Sequence, residues 1–293
     1  MREYGMSGAG CVFCAYREVC FCLMLLEWLE FEFVRNALVA MALLAAVYPV
    51  LGVFVVGQRI SYFSDAVSHS AFTGAAVAGL LGLQVGDALL LTAPIFALLV
   101  AWFRARTQLP TETLLVVAIT GISALGIAIA SLAETPIALG ALLFGDVLAI
   151  EQGDLWRLFG IDCLLVAMLL VLARPLVRIG FHRELALAQG VPVRAVETLF
   201  LVGLSLAIAV GVRGVGILPI SALLVLPAAT ARVLAHSLRS MLWLSALLGM
   251  VSLVAGFSLA LWQPIPPGAA AALGAVMLFV AVALVRPAQG VAR

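Results

Sequence analysis

Apolar stretches of about twenty residues recur along the whole chain, and that is the length an α-helix needs to cross a bilayer. The composition agrees, because 65% of the 293 residues are hydrophobic and only 11% are charged. A soluble protein of this size would expose more charge than that. The sequence therefore predicts an all-α protein, a polytopic bundle of transmembrane helices.

We expect about nine spans, with eight or ten as the alternatives. The predicted spans are residues 36–56, 65–83, 88–103, 114–132, 155–172, 196–212, 215–234, 242–261 and 269–285. Short helices that do not cross complete the prediction. Residues 137–150 are one of these, because about fourteen residues are few for a crossing.

The placement of arginine selects the orientation of the spans. By the positive-inside rule, loops rich in arginine should lie in the cytoplasm. The arginines of these loops are Arg59, Arg104, Arg106, Arg174, Arg178, Arg183, Arg194, Arg232, Arg239, Arg286 and Arg293. They all fall on one side only if residues 137–150 do not cross. The N-terminus is then outside and the C-terminus inside, and Arg213 is the one exception.

All 16 basic residues are arginine, so the chain has no lysine. A P-loop needs a lysine on the phosphates of ATP, and this chain therefore has no standard ATP site. The H-E-x-x-H and G-x-S-x-G motifs of hydrolases are absent as well. We predict a protein that is not an enzyme and that holds no permanently bound cofactor. A net charge of +1 without a basic tract gives no indication of a nucleic-acid partner.

The first 25 residues differ from the rest of the chain. They contain four of the five cysteines, Cys11, Cys14, Cys20 and Cys22, spaced as C-x-x-C and C-x-C. Such spacing can serve a metal or redox site, but no second spaced pair with histidines follows. We interpret residues 1–25 as an extension that is disordered or that precedes a true start near Met24. Residues 26–286 would form the transmembrane domain, and 287–293 a short cytoplasmic tail.

A polar stripe marks the second predicted span. On a helix its members fall on one face, at steps of three and four residues. They are Ser61, Ser64, Asp65, Ser68, His69 and Thr73. Asp65 and His69 lie one turn apart, so a carboxylate and an imidazole could bind one divalent cation from a single helix. The alternative is a polar contact between helices, or an interfacial helix start with an Asp–His hydrogen bond.

Other polar residues offer weaker candidates. We interpret His182 and His236 as solvated loop histidines, since loop histidines lack partners within the membrane. Asp146 is expected to be a turn residue rather than part of a transport path. Asp87 and Glu134 flank loops predicted to face outward, where they could attract a partner electrostatically but are more simply solvated helix ends.

Four blocks together resemble a known family, the permease subunits of zinc and manganese ABC importers, and most of all the high-affinity zinc permeases. The blocks are residues 59–70 (RISYFSDAVSHS), 143–149 (LFGDVLA), 184–193 (beginning ELA and ending GVPV) and 215–232 (VGILPISALLVLPAATAR). The resemblance extends from about residue 26 to 285. Their order and spacing make it more specific than any single motif.

The resemblance implies an architecture and a site. The permease would work as a dimer, most simply a homodimer, in a multi-pass arrangement in the bacterial plasma (inner) membrane. It would bind a cytoplasmic ABC ATPase and receive metal from an extracytoplasmic binding protein. The Asp and His that line the metal path in the family match Asp65 and His69. Ser64 departs from the family, which usually has glycine there.

The resemblance also implies a surface that couples the permease to its ATPase. Related permeases have a proline, basic residues and a short helix at the equivalent place, here residues 227–242. The alternative is a positively charged anchor at the membrane surface. The residues assigned to coupling are Pro227, Arg232, His236 and Arg239, with Arg183 and Glu184 as a second surface.

The function that follows is ATP-driven import of a divalent metal ion, with zinc preferred. Import of manganese or iron by the same architecture is one alternative. A secondary cation carrier that uses Asp65 and His69 without an ATPase is another. A metal chelate as substrate is disfavoured, because a bulky chelate needs a wide path and no paired metal ligands.

Overall fold

The computed structural model describes residues 31–107, 109–133, 145, 150–262 and 265–285. Within these ranges the chain forms α-helices and no β-strand, as predicted. The helices are α1 (Glu32–Gly57), α2 (Tyr62–Leu81), α3 (Val85–Arg106), α4 (Thr111–Ala133), α5 (Gln152–Phe181), α6 (Arg183–Ala188), α7 (Val193–Val215), α8 (Ile217–Leu234), α9 (Leu238–Trp262) and α10 (Pro267–Val285).

Seven of the described helices, α1, α3, α4, α5, α7, α9 and α10, are long and apolar enough to cross a membrane. The other two predicted spans correspond to α2 and α8. The polar stripe lowers the hydropathy of α2, and the apolar part of α8, Pro219–Leu234, is short. The predicted count of nine spans is therefore not confirmed. The segment 137–150 lies outside the described residues, apart from Gly145 and Ile150.

Helix α5 extends further than the sequence predicted. The predicted span ended at residue 172, but α5 continues to Phe181 and includes Pro175. Arg174 and Arg178 therefore lie on the helix and not in a loop. Leucine and arginine are good helix formers and favour the extension, whereas Pro175 and Gly180 oppose it.

Helix α2 lies in the middle of the bundle. It packs against α3 and α4 on one side and against α7 and α8 on the other. Helix α1 packs against α5, α8 and α9, and α10 contacts α8 and α9. The buried face of α2 consists mainly of small side chains, alanine, serine and glycine. Small residues let helix backbones approach closely within a bilayer, which is the tight packing that the sequence predicted.

Two of the four sequence blocks meet at a pair of glycines. Gly145 adopts a left-handed backbone (φ 70°) that favours glycine. A Cβ at this position would lie 2.5 Å from the backbone nitrogen of Gly216, which separates α7 from α8. The close approach therefore requires glycine at residue 145, and it places Gly145 against the start of α8.

The arginine-rich ends of the helices gather at one end of the bundle, which we call the basic end. The Gln58 side chain after α1 donates a hydrogen bond to the Leu176 carbonyl near the end of α5 (2.7 Å). Gly52 of α1 lies against Leu224 and Ala228 of α8. The ends of α1, α5 and α8 and the starts of α2, α6 and α7 are therefore at the same end.

The contact between α1 and α8 gives a prediction. A Cβ at Gly52 would overlap the Leu224 carbonyl oxygen, whereas a Cβ at Gly57 on the same helix meets nothing within 4 Å. Gly52→Ala should destabilise the protein by about 1–3 kcal/mol, as overpacking does. Thermal unfolding in detergent would measure the change. Gly57→Ala is the matched control, and equal melting temperatures for the two variants would contradict this packing.

Candidate functional site

The turn before α2 sets the direction in which the polar stripe faces. Arg59 has a positive φ of 57°, and the Ile60 amide donates back to the Val55 carbonyl. This tight reversal ends α1 and starts α2 only a few residues later. The stripe then begins in the first turn of α2 and runs toward its centre.

Three hydroxyl groups of the stripe are buried and bonded. Ser64 donates to the Ser61 carbonyl (2.8 Å), and Thr73 donates to the Ile122 carbonyl of α4 (2.7 Å). The hydroxyls of Ser68 and Ser221, the latter on α8, lie 3.5 Å apart. Ser68 and Thr73 thus make polar contacts between helices, as the alternative interpretation expects, whereas the Ser64 bond is local to the start of α2.

The side chains of Asp65 and His69 are less buried than these hydroxyl groups. Asp65 is half-buried, and His69 is exposed on the surface of the described chain. Nδ1 of His69 lies 3.3 Å from the Ser123 hydroxyl of α4. A metal-bound histidine is typically oriented by a hydrogen bond at its other ring nitrogen. The contact with Ser123 thus leaves Nε2 as the nitrogen available to a metal ion.

The depth of the pair follows from its neighbours. Ile220, which precedes Ser221, and Tyr48 of α1 both lie against Gly211. Tyr48 is in the middle of α1, so Ser68 and its neighbour His69 lie near the middle of the bundle. The imidazole of His69 at this depth, and the carboxylate of Asp65 one turn nearer the basic end, are costly in lipid, and such residues face protein or a water-filled cavity.

The pair does not form a complete metal site within one chain. Among the described residues, no group of three or more His, Cys, Asp or Glu side chains comes together. Two ligands on one helix leave at least two coordination positions for water or for another chain. The arrangement suits an ion that must arrive and leave.

The residues assigned to coupling lie at the basic end. Arg232, His236, Arg239, Arg183 and Glu184 are all exposed there, while Pro227 is buried. The structure corrects one detail of the prediction. Residues 227–234 continue α8 without a break, and the described chain has no separate short helix before α9. Neighbouring helices can satisfy the backbone groups freed by a proline in a membrane helix, which explains why the helix continues.

Glu197 is a residue that the sequence analysis missed. Its carboxylate is buried on α7 and accepts hydrogen bonds from Arg183 of α6 (3.2 Å) and Arg104 of α3 (3.4 Å). One side chain thereby joins three helices at the basic end. A carboxylate at the start of a predicted span, beside an arginine-rich loop, was the available signal.

The other carboxylates separate into two groups. Asp87 is exposed and pairs with Arg157 at 3.3 Å. Asp162, also missed by the sequence analysis, is buried on α5, and its two oxygens have no hydrogen-bond partner among the described residues. Asp146 and Glu134 lie outside the described residues, so their predicted roles stay predictions.

Known proteins resemble this chain over nearly its whole length. The ABC 3 transport family matches residues 30–286. A manganese transport system membrane protein of Halalkalibacterium halodurans is 30% identical over 266 residues, which cover 90% of this chain and 91% of the relative. A high-affinity zinc uptake system membrane protein of Haemophilus influenzae is 31% identical over 252 residues, covering 85% of this chain and 96% of the relative.

The fold also matches a solved structure. PsaBC from Streptococcus pneumoniae in complex with Fab gives a TM-score of 0.79 at 27% identity, and the match covers 92% of this chain and 97% of that chain. The family resemblance drawn from four sequence blocks is confirmed by these matches.

The Glu197 contacts give a prediction for the basic end. Glu197→Gln leaves the charges of Arg104 and Arg183 unpaired, and hydrogen bonds to charged groups contribute about 1.5–3 kcal/mol. We expect a loss of stability of that size in thermal unfolding. Asp87→Asn breaks an exposed pair and should cost at most about 1 kcal/mol. A Glu197→Gln variant as stable as Asp87→Asn would contradict the joining role of Glu197.

Proposed function

This chain belongs to the ABC 3 transport family, as a permease subunit of a metal-ion ABC importer, and we propose that the ion it carries is zinc. The proposal rests on one observation. Asp65 and His69 lie one turn apart in the first half of α2, half-buried and exposed respectively, whereas Ser64, Ser68, Ser70 and Thr73 of the same helix are buried.

We propose that Asp65 and His69 are the ligands of the ion in transit. A carboxylate oxygen and an imidazole nitrogen are both ligands that Zn²⁺ and Mn²⁺ accept in proteins. The contact of Ser123 with Nδ1 supports Nε2 as the donor atom of His69. Two protein ligands with open positions bind an ion weakly enough to release it, whereas four strong ligands would trap it.

A second copy of the chain would complete the site. His69 is exposed in the single chain, and a two-fold axis beside α2 would bring two aspartates and two histidines together. The axis would also remove both side chains from lipid, where each is costly. We therefore propose a homodimer with the ion path between the two copies of α2.

Zinc is our first choice of ion and manganese the second. For a shared set of nitrogen and oxygen ligands, the Irving–Williams order gives zinc a higher affinity than manganese. The relatives favour neither ion clearly, because one is a manganese transport protein and another a zinc uptake protein of similar identity.

We further propose that a separate ABC ATPase binds the basic end and an extracytoplasmic binding protein the opposite end. The chain has no lysine for a P-loop, so ATP hydrolysis must come from another subunit. The exposed arginines of the basic end make it the cytoplasmic end by the positive-inside rule, in a bacterial plasma membrane. Arg183, Glu184, Arg232, His236 and Arg239 would contact the ATPase there.

Transport assays with ligand variants test the metal path. Asp65→Ala and His69→Ala should each reduce zinc-dependent growth and ⁶⁵Zn uptake at least about tenfold, because each removes one of two protein ligands. The host strain would lack its own zinc importers. It would express this chain together with the ABC ATPase and the extracytoplasmic binding protein that are proposed as its partners. His182→Ala, which removes an exposed loop histidine, is the matched control.

The outcomes of these assays distinguish the identity of the transported ion from the role of Asp65 and His69 in its path. Wild-type uptake of manganese but not zinc, lost in both ligand variants, would leave the path intact and replace zinc by manganese. Full uptake by both variants at normal expression would show that Asp65 and His69 contribute only to helix packing and do not bind the ion.

Ser123 gives a separate prediction as a positioning residue. Ser123→Ala should raise the KM for metal about tenfold and leave the maximal rate nearly unchanged, since it frees the His69 ring without removing a ligand. Ser123→Thr, which keeps the hydroxyl, should restore the KM. Ser131→Ala on the same helix removes a hydroxyl that bonds only to the Ile127 carbonyl, and it is the control. An unchanged KM in Ser123→Ala would exclude the positioning role.

A further inference from the structure

We propose that a groove between α3 and α7 binds one anionic phospholipid of the surrounding bilayer, with an acyl chain in the groove and the phosphate on Arg106 and Arg194. The proposal goes beyond metal transport and does not depend on which ion is carried. It rests on the shape and lining of the groove and on the charges at one of its ends.

The groove is open to the outside of the bundle and almost wholly apolar. Its walls include Ile95, Leu98, Leu99, Trp102 and Ala105 of α3, with Thr198 of α7. The four large side chains are exposed over roughly half or more of their surface, from 48% at Leu99 to 63% at Ile95. In a helix that spans a membrane, such a concave surface is filled by hydrocarbon.

The Arg104–Glu197 contact fixes which ends of α3 and α7 meet. It joins the last turn of α3 to the first turns of α7 at 3.4 Å, so the two helices run in opposite directions along the groove. The groove therefore ends at the basic end, with Ala105 and Thr198 nearest to it.

Two arginines extend beyond that end of the groove. Arg106 lies one turn after Trp102, with its guanidinium carbon 5.2 Å from the centre of the indole ring. Arg194 lies one turn before Thr198, so it projects from the same face of α7. Both are exposed, and neither forms an ion pair with a carboxylate among the described residues.

The guanidinium groups of Arg106 and Arg194 are complementary to the net negative charge of an anionic phosphodiester headgroup. A zwitterionic headgroup carries a positive charge of its own and complements them less well. Glu197 pairs with Arg104 and Arg183, whereas no carboxylate in the described part of the chain pairs with Arg106 or Arg194. Tryptophan is enriched at the level of lipid headgroups, which places Trp102 at the boundary between acyl chain and phosphate. Basic pockets between helices on the cytoplasmic side are suited to anionic headgroups. A second copy of the chain would instead need carboxylates opposite the two arginines.

Native mass spectrometry of the full-length chain in detergent tests the proposal. The probes are phosphatidylglycerol and phosphatidylcholine with the same acyl chains, titrated separately. We expect one phosphatidylglycerol to be retained per chain, at least about tenfold tighter than phosphatidylcholine. The double variant Arg106→Gln/Arg194→Gln should bind phosphatidylglycerol about thirtyfold more weakly, given the attraction of each basic side chain to an anionic lipid surface.

Two further variants separate the groove from general surface charge. Arg174→Gln/Arg178→Gln makes the same charge change on α5, and it should bind phosphatidylglycerol like the wild type. Ala105→Leu narrows the groove without changing charge, and it should weaken binding of both lipids. Melting temperatures measured without added lipid would show that each variant is folded.

Three results would overturn the proposal. Equal binding of the two lipids would remove the role of the arginines. If Arg174→Gln/Arg178→Gln weakens phosphatidylglycerol binding as much as Arg106→Gln/Arg194→Gln does, the effect is one of net charge and not of the groove. A change of oligomeric state in Ala105→Leu, with phosphatidylglycerol binding unaltered, would assign the groove to a second copy of the chain.

Discussion

The cost of leaving a polar group in hydrocarbon shapes the centre of this protein. Helix α2 carries more polar side chains than a single span can hold alone, and each must find a partner or water. Ser68 and Thr73 find partners on α8 and α4, which fixes how α2 packs and which face it buries. This packing leaves the Asp65 side chain half-buried and that of His69 exposed, and these two potential metal ligands mark where an ion could pass.

Close backbone approach supports that arrangement. Gly126 lets α4 approach Thr73, since a Cβ there would lie 2.6 Å from its hydroxyl oxygen. Gly52 likewise allows α1 to approach α8. Gly145 allows the backbone at that residue to approach Gly216. At the basic end, the buried carboxylate of Glu197 ties α3, α6 and α7 together. A movement imposed on α6 there would therefore be felt by two long helices, which is a requirement for a permease driven by a separate ATPase.

The sequence predicted the helices and the polar stripe on α2, because apolar length and a period of three to four residues are local properties. The expected short helix within residues 227–242 was wrong, since residues 227–234 continue α8 and neighbouring helices can satisfy the backbone groups freed at Pro227. Glu197 and Asp162 were missed because their burial, and the arginine partners of Glu197, come from other helices. The contact between Ser123 and His69 joins residues far apart in sequence, and no spacing rule indicates it.

The central claim is that His69 and Asp65 bind the transported ion. X-ray absorption at the zinc edge, measured on the purified wild-type chain in complex with its ATPase, tests it most directly. The account predicts a first shell of nitrogen and oxygen at about 2.0–2.1 Å, with imidazole scattering that disappears in His69→Ala. A shell dominated by sulfur at about 2.3 Å, or imidazole scattering unchanged in His69→Ala, would contradict it.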